Sequence, residues 1–157
     1  MEALIGIEKK NKTEVSDVLN VLLADEHILY IKLRNYHWNV EGSSFLELHK
    51  FLEDLYNQLE ADIDATAERI RKIGKSPMGS CEEFLQFTNL DEAKQPYHDP
   101  KKILTSLLKD YETVIRWIRD HIETVAEVKD YGTEDFMVGL IRSYEEAAWM
   151  LRAYVSK

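Results

Sequence analysis

The sequence predicts an all-α protein, a four-helix bundle whose second and third long helices are joined by a long crossover that carries a short helix. Three observations lead to this fold class. The 157 residues have the length of one domain, expected to span 1–157. A composition of 45% apolar and 31% charged residues is typical of globular proteins. Only six glycines and three prolines interrupt the chain, which favours long helices over architectures with many turns.

Four long stretches of the chain each predict one helix. Residues 7–41, 43–73 and 101–131 contain neither Gly nor Pro, and 133–157 contain only Gly139. Within each stretch, apolar residues recur every three or four positions, as on one face of a helix. From the first stretch to the fourth, these apolar residues are Val15, Val18, Leu22, Leu29 and Leu33; Leu48, Leu52, Leu55, Leu59, Ile63, Ala67, Ile70 and Ile73; Ile103, Leu107, Tyr111, Val114, Ile118, Ile122 and Val125; Phe136, Leu140, Tyr144, Ala147, Leu151 and Val155.

The connections predict how the helices are joined. Gly42–Ser44 stops the first helix and offers N-cap residues to the second, and Gly74 suits the position after a helix end. Residues 74–100 hold all three prolines, and Ser80–Glu83 can begin a short helix there. We expect Gly132–Thr133 to end the third long helix and cap the fourth. The two short joints make antiparallel pairs, while the crossover can span the bundle.

Composition and charge exclude several classes of protein. No apolar run approaches the roughly 18 residues of a membrane span, and the N-terminus lacks a cleavable signal pattern. Cys81 is the only cysteine, which excludes an internal disulfide or a Cys-rich zinc site and suits the reducing cytoplasm. A net charge of −9 argues against general affinity for nucleic acid or anionic membranes. Residues 1–13 are expected to form a flexible N-terminal tail.

Five residues are candidate metal ligands: His37, His49, Glu53, Asp64 and Glu68. His49 and Glu53 are four apart and share a helix face, as do Asp64 and Glu68. Fifteen residues of helix rise by about 22 Å, so the two pairs cannot meet at one metal inside one chain. They can meet if two copies of the helix cross antiparallel about a two-fold axis, which would create two identical sites. Imidazole with carboxylate suits iron or manganese better than structural zinc.

The same spacing has a simpler interpretation. Carboxylates four apart on a charged helix commonly form a solvated face, and His49 fits a partly buried surface position. In addition, none of the five histidines has Glu three residues before it. The Glu-x-x-His pairs of a di-iron centre in the core of one bundle are therefore missing.

Longer motifs surround these candidates. They are Asn35-Tyr36-His37-Trp38-Asn39-Val40-Glu41-Gly42, then Phe45 and Leu48-His49, then Asp64-Ala65-Thr66-Ala67-Glu68-Arg69-Ile70. The combination resembles the signature of the Dps family, the ferritin-like miniferritins first described as DNA-binding proteins of starved cells. In weaker form the resemblance extends to Trp149-Met150-Leu151 and thus covers nearly the whole chain.

The resemblance implies a ferritin-like bundle assembled into a hollow dodecamer, with di-iron ferroxidase sites at its two-fold interfaces. His37 and His49 would come from one subunit, and Asp64 and Glu68 from its neighbour. The remaining ligand position usually holds Asp, where this sequence has Glu53. Family members typically oxidise Fe(II) with hydrogen peroxide and store the ferric mineral, which protects against oxidative damage.

Two further features have two interpretations each. By the resemblance, Trp38 would lie near the site and intercept oxidising equivalents, but it equally fits a core or interface aromatic. Asp130, Glu134 and Asp135 correspond to the region that lines acidic three-fold pores for Fe(II) in the family. Carboxylates near a helix N-terminus also favour the helix dipole without any role in transport.

The sequence is also compatible with two other functions. The first is a nucleoid-associated protein that mainly binds DNA, but Lys9, Lys10 and Lys12 are the only N-terminal lysines and lie among acidic residues. We therefore expect DNA binding to be weak or absent. The second is a non-enzymatic helical protein whose polar residues serve only pairing specificity.

Overall fold

The computed structural model describes residues 3–94 and 97–156. In these ranges all regular secondary structure is helical, which confirms the all-α prediction. The helices are α1 (Lys9–Asn39), α2 (Phe45–Lys72), α3 (Cys81–Phe87), α4 (Pro100–Glu127) and α5 (Tyr131–Val155). The four long helices and the short helix in the crossover are those that the sequence predicts.

The long helices pack as two hairpins. Helix α1 packs along α2 and helix α4 along α5, because each pair is joined by a short connection. Helix α1 also packs against α4, which unites the two hairpins, and α3 lies against α1. The crossover between α2 and α4 is the ferritin-like connection expected from the sequence.

Most helix ends lie at the start and stop residues that the sequence predicts. Gly42 and Gly74 adopt φ values of +117° and +87°, which side chains with a Cβ atom rarely tolerate. Ser80 and Glu83 form a reciprocal capping box at the start of α3. The joint between α4 and α5 differs from the prediction. Asp130, and not Thr133, caps α5, since its carboxylate accepts a hydrogen bond from the Thr133 backbone N–H.

The expected N-terminal tail is shorter than predicted. Helix α1 begins at Lys9, so residues 9–13 are helical. The side chain of Lys12 is buried, and its Nζ donates to the backbone carbonyl of Ala3. Lys75 Nζ donates to Thr13 Oγ1, which joins the first turns of α1 to the end of α2. Met1 and Glu2 lie outside the described residues.

The core stripe of α2 also differs in one place. Ile63 and Ala67 are only partly buried, while the polar residues Asp62 and Thr66 are buried in their stead. The spacing from Leu59 to Asp62 and Thr66 continues the same helix face, so geometry and not polarity decides which residues enter the core.

A buried carboxylate anchors the crossover. Asp25 of α1 is fully buried, and its oxygens accept three hydrogen bonds. The donors are Thr88 Oγ1 at 2.7 Å, the Asn89 backbone N–H at 2.6 Å and Asn89 Nδ2 at 2.9 Å. The chain after α3 is therefore fastened to the centre of α1.

Gly74 offers a test of how the N-terminal segment and the end of α2 fit together. Its φ is positive, and a Cβ atom there would lie 2.9 Å from the Cβ of Ala3. We predict that Gly74→Ala lowers the free energy of unfolding by about 1–2 kcal/mol, measured by denaturant titration. Gly79→Ala is the matched control, because its Cβ would meet no atom within 4 Å. Equal effects of the two substitutions would contradict this account of the joint.

Candidate metal centre

Two histidines face each other across the α1–α2 hairpin. The ring centroids of His37 and His49 are 3.7 Å apart, with an angle of 21° between the rings. His37 Nδ1 lies 2.7 Å from the backbone oxygen of His49, and His49 Nδ1 lies 2.9 Å from the backbone oxygen of His37. Each ring is therefore held by the backbone of the opposite helix.

These hydrogen bonds determine which nitrogen of each ring is available. A carbonyl oxygen can only accept, so each Nδ1 carries the hydrogen and donates it. In the neutral imidazole, Nε2 then keeps its lone pair. Histidines that bind metals commonly donate the other ring N–H to a backbone carbonyl, which fixes both tautomer and orientation. The Nε2 atoms of His37 and His49 are thus the ring atoms able to bind a metal ion.

Aromatic side chains enclose the histidine pair. The ring of Tyr56 meets His37 edge-on at 5.2 Å between centroids, and Phe45 stacks on His49 at 5.0 Å. His37 is only 7% exposed. These contacts restrict rotation of both imidazoles and reduce their exposure to water.

Trp38 lies at the protein surface beside the pair. It is 63% exposed, which excludes the interpretation as a core aromatic. The guanidinium of Arg34 lies 5.0 Å from its ring centroid. An indole so exposed on an isolated chain is available to a partner surface.

The three candidate carboxylates lie at different places along α2. Glu53 is half-buried one helical turn after His49, while Asp64 and Glu68 are exposed. Glu68 Oε2 lies 2.9 Å from Lys72 Nζ, and Asp64 borders a groove next to α3. In the ranges 3–94 and 97–156, no three His, Cys, Asp or Glu side chains come close enough to hold one metal ion. One chain therefore unites the histidines and leaves the second ligand pair apart.

The acidic residues before and in the first turn of α5 do not form one cluster of free carboxylates. Asp130 is buried and bonded on both oxygens, to Arg69 Nη2 at 2.7 Å and to Thr133 Oγ1 at 2.6 Å. Its carboxylate thus joins α2 to α5 and is not available to line a pore. Of the three residues singled out from the sequence, Glu134 is half-buried and Asp135 is exposed.

Comparisons with known proteins agree with this fold. The ferritin-like domain family matches residues 16–157. The chain is 34% identical to DNA protection during starvation protein 2 of Bacillus anthracis, over 92% of this chain and 98% of that protein. It is 40% identical to an uncharacterized low temperature-induced protein of Nostoc, over 96% and 85% of the two chains. The crystal structure of the DPS protein of Vibrio cholerae superposes with a TM-score of 0.94 at 32% identity, covering 98% and 96%.

The chain belongs to the Dps family of ferritin-like proteins. Membership in this family supports a general function as an iron-storage miniferritin with ferroxidase chemistry. Among the described residues of this Dps chain, no helix combines the length and apolar character needed to span a membrane.

Sequence reasoning missed a polar group inside this Dps bundle. Glu26 of α1 is fully buried and accepts hydrogen bonds from Tyr144 Oη at 2.7 Å and Thr66 Oγ1 at 3.2 Å. Asp62 of α2 is also buried, and its charge acts on Glu26. The signal was available, because Glu26 and Asp62 continue the helical spacing of the apolar residues on their own helices.

Burial raises the pKa of Glu26 to about 8, although the hydrogen bonds from Tyr144 and Thr66 oppose the rise. Burial likewise raises the pKa of Asp62. The folded state therefore holds the Glu26 proton more tightly than the unfolded chain, where the pKa is near 4.5. The contribution of Glu26 to stability then falls as pH rises from about 4.5 to about 8, by an amount on the order of a few kcal/mol.

We predict that Glu26→Gln removes much of this pH dependence in the metal-free protein. The amide oxygen still accepts from Tyr144 and Thr66 but carries no charge, so the variant should gain stability relative to wild type as pH rises. The measurement is the free energy of unfolding against pH in the presence of a chelator. Glu14→Gln, at an exposed site on the same helix, is the control and should follow the wild-type curve. Parallel curves for wild type and Glu26→Gln would contradict the prediction.

Proposed function

We propose that this protein oxidises Fe(II) at di-iron sites shared between two subunits and stores the ferric product in a dodecameric cage. The observation that carries the proposal is the reciprocal hydrogen bonding of His37 and His49. It leaves the Nε2 atoms of two stacked rings as ligands, while the described residues of one chain gather no group of three ligand side chains for a metal ion. A second chain must complete such a site.

The surface around the histidines supports association with a second copy. Trp38, Phe45 and Leu46 are exposed by 63%, 43% and 72% on the isolated chain. Large apolar side chains grouped near polar ligands are typical of an interface. A two-fold axis near the middle of α2 would bring Asp64 and Glu68 of one subunit toward His37 and His49 of the other, and it would form each site twice.

The ligand types suit the oxidation of Fe(II). Neutral imidazoles bind Fe(II) well, and carboxylates stabilise and can bridge the ferric product. Two Fe(II) ions supply the two electrons that one hydrogen peroxide molecule accepts: two Fe(II), one peroxide and two protons give two Fe(III) and two waters. Holding both Fe(II) ions at one site allows complete reduction of peroxide without release of a hydroxyl radical.

Glu53 and Trp38 have distinct proposed roles. Glu53 follows His49 by one turn of α2 and is half-buried, so it fits a ligand on the same side as the histidines. Its side chain is one methylene longer than the Asp usual in the family, and this longer arm would still reach an iron bound beside the histidines. For Trp38, which lies against Arg34, we propose the role of accepting an oxidising equivalent that escapes the site.

The shared site is tested by mixing two inactive variants. His49→Ala and Glu68→Ala each remove a ligand from every site, so each assembly alone should lose peroxide-driven Fe(II) oxidation. Chains unfolded together and reassembled should regain about a quarter of the wild-type sites, because half the interfaces are mixed and each mixed interface has one intact site. The measurement is the rate of Fe(II) oxidation after verified mixing.

Two controls make this experiment decisive. Wild-type chains taken through the same unfolding must regain activity. Lys72→Ala breaks the ion pair with Glu68 but keeps the carboxylate, so this variant should remain active. If verified mixed particles show no recovery, the assignment of the ligands to opposite subunits is wrong.

Several relatives are named for DNA protection during starvation. We propose that this protein protects DNA by removing Fe(II) and peroxide, in the cytoplasm and without tight contact to DNA. Lys9, Lys10 and Lys12 belong to α1 and do not form a free tail, and Lys12 is buried. The net charge of −9 per chain further opposes contact with phosphates.

We predict no retardation of duplex DNA in a gel at neutral pH and about 0.15 M salt. The physical reason is repulsion between the acidic particle and the phosphate backbone, which the three lysines at the start of α1 do not offset. Glu2, Glu8 and Glu14 replaced together by Gln should retard DNA more than wild type at low salt, which checks that charge is the cause. Tight binding by wild type at 0.15 M salt would contradict the proposal.

A further inference from the structure

The interior of the bundle contains two buried acids that share one phenol. Glu26 is 0% exposed and Asp62 is 8% exposed. The Tyr144 hydroxyl bonds to Glu26 and also interacts with the Asp62 carboxylate. Because a hydroxyl has one hydrogen, it can donate to only one of the two acids at a time.

One oxygen of each acid lacks a hydrogen-bond partner. Glu26 Oε1 accepts from Tyr144 and Thr66, and Asp62 Oδ1 accepts from Gln58 at 3.0 Å. Glu26 Oε2 and Asp62 Oδ2 are enclosed and have no partner among the described residues. A buried polar atom left in this way costs free energy, and more so when it carries charge.

The other buried acids among the described residues have either three hydrogen-bond donors or a cationic side chain as partners. Asp25 accepts three hydrogen bonds from Thr88 and Asn89, as described above. Asp110 pairs with Lys32, and Asp130 with Arg69. Within 3–94 and 97–156, no lysine, arginine or histidine pairs with Glu26 or Asp62. Glu26 and Asp62 therefore lack the cation that Asp110 and Asp130 have and the three donors that Asp25 has.

A cavity leads from solvent to this place. It has a volume of about 270 Å³, lies between α2 and α5, and is bordered by Asp62, Tyr144 and Gln58. Asp54 and Glu146, both exposed, also border it and give its opening a negative potential. The cavity thus reaches the Asp62 and Tyr144 side of the pair, while Glu26 lies behind Tyr144 and does not border it.

We propose that Glu26 and Asp62 bind a divalent cation inside each subunit, Mn²⁺ or Fe²⁺, with the Tyr144 hydroxyl and water from the cavity as further oxygen ligands. The unpartnered oxygens Glu26 Oε2 and Asp62 Oδ2 supply the two charged donors. An all-oxygen set of two carboxylates with neutral donors suits these ions and not Cu(I) or structural Zn²⁺. This site is distinct from the histidine centre and does not depend on a second subunit.

A shared proton is the competing occupant. Burial and the charge of Asp62 raise the pKa of Glu26, so a proton on Glu26 removes one of the two negative charges when no cation is present. One proton, however, leaves the other carboxylate charged, whereas a divalent cation balances both charges. A cation satisfies both orphan oxygens at once, and the cavity provides the water that completes its coordination.

The test counts Mn²⁺ ions bound to assembled protein by following the electron paramagnetic resonance signal of free Mn²⁺ during titration. All variants carry His37→Ala and His49→Ala, so the histidine centre contributes no imidazole ligands. In this background, we expect Glu26→Gln to bind one Mn²⁺ ion per chain fewer than Glu14→Gln. Asp62→Asn should show the same loss as Glu26→Gln. Equal binding by Glu26→Gln and Glu14→Gln would overturn the proposal.

A second measurement tests whether the Mn²⁺ ion that Glu26→Gln loses is one that stabilises the folded protein. Saturating Mn²⁺ should raise the unfolding temperature of the background protein and of Glu14→Gln, but should raise that of Glu26→Gln much less. If both Glu26→Gln and Asp62→Asn fail to fold, Tyr144→Phe serves instead, because it keeps both carboxylates and should bind the ion several-fold more weakly. Unchanged Mn²⁺ affinity in Tyr144→Phe would then count against the site.

This result is separable from the ferroxidase proposal. The interior site is measured without the histidines, while the ferroxidase proposal is measured by mixing His49→Ala with Glu68→Ala. Loss of either result leaves the other intact.

Discussion

Two hydrogen bonds between imidazole nitrogens and backbone carbonyls both hold the α1–α2 hairpin together and orient the two histidine rings. The bonds between His37 and His49 hold the end of α1 against the start of α2, where the chain reverses. The same bonds consume the Nδ1 hydrogens and leave both Nε2 atoms free. Because the hairpin and the orientation of both rings depend on the same atoms, a change that opens the hairpin also disorients the proposed ligands.

The length of α2 imposes the next constraint. His49 and Asp64 lie fifteen residues apart on one straight element, about 22 Å along its axis, so no side chain can bridge them. The structure agrees, since no intrachain cluster of three ligands occurs among the described residues. A metal site that uses both ends of α2 must therefore be assembled from two chains, which makes association part of the proposed chemistry.

Buried charge organises the rest of the bundle. Asp25 fastens the crossover to α1, and the Arg69–Asp130 pair joins α2 to the start of α5. These groups stabilise the fold because partners accompany them into the interior. Glu26 and Asp62 depart from this pattern, since each retains an unpartnered oxygen without a cation nearby, and Asp62 borders a cavity. Two adjacent buried acids in this state are where a cation is expected.

The sequence by itself determined the helices, their order and the types of ligand. Gly42 and Gly74 follow stretches in which apolar residues recur at helical spacing. Both glycines adopt positive φ values, and this local backbone geometry ends the helices without contacts from distant residues. The sequence also showed that the two candidate ligand pairs of α2 lie far apart, because distance along a helix follows from residue number. Only the tertiary structure decided which polar residues are buried and what they meet. Lys12 contacts the backbone of Ala3, and Asp130 is buried in an ion pair with Arg69. Asp62 is buried at the core position that the sequence predicts for Ile63. Periodicity shows which residues share a face of one helix, but a partner across the bundle depends on how separate helices pack, and that packing is set by the whole core at once.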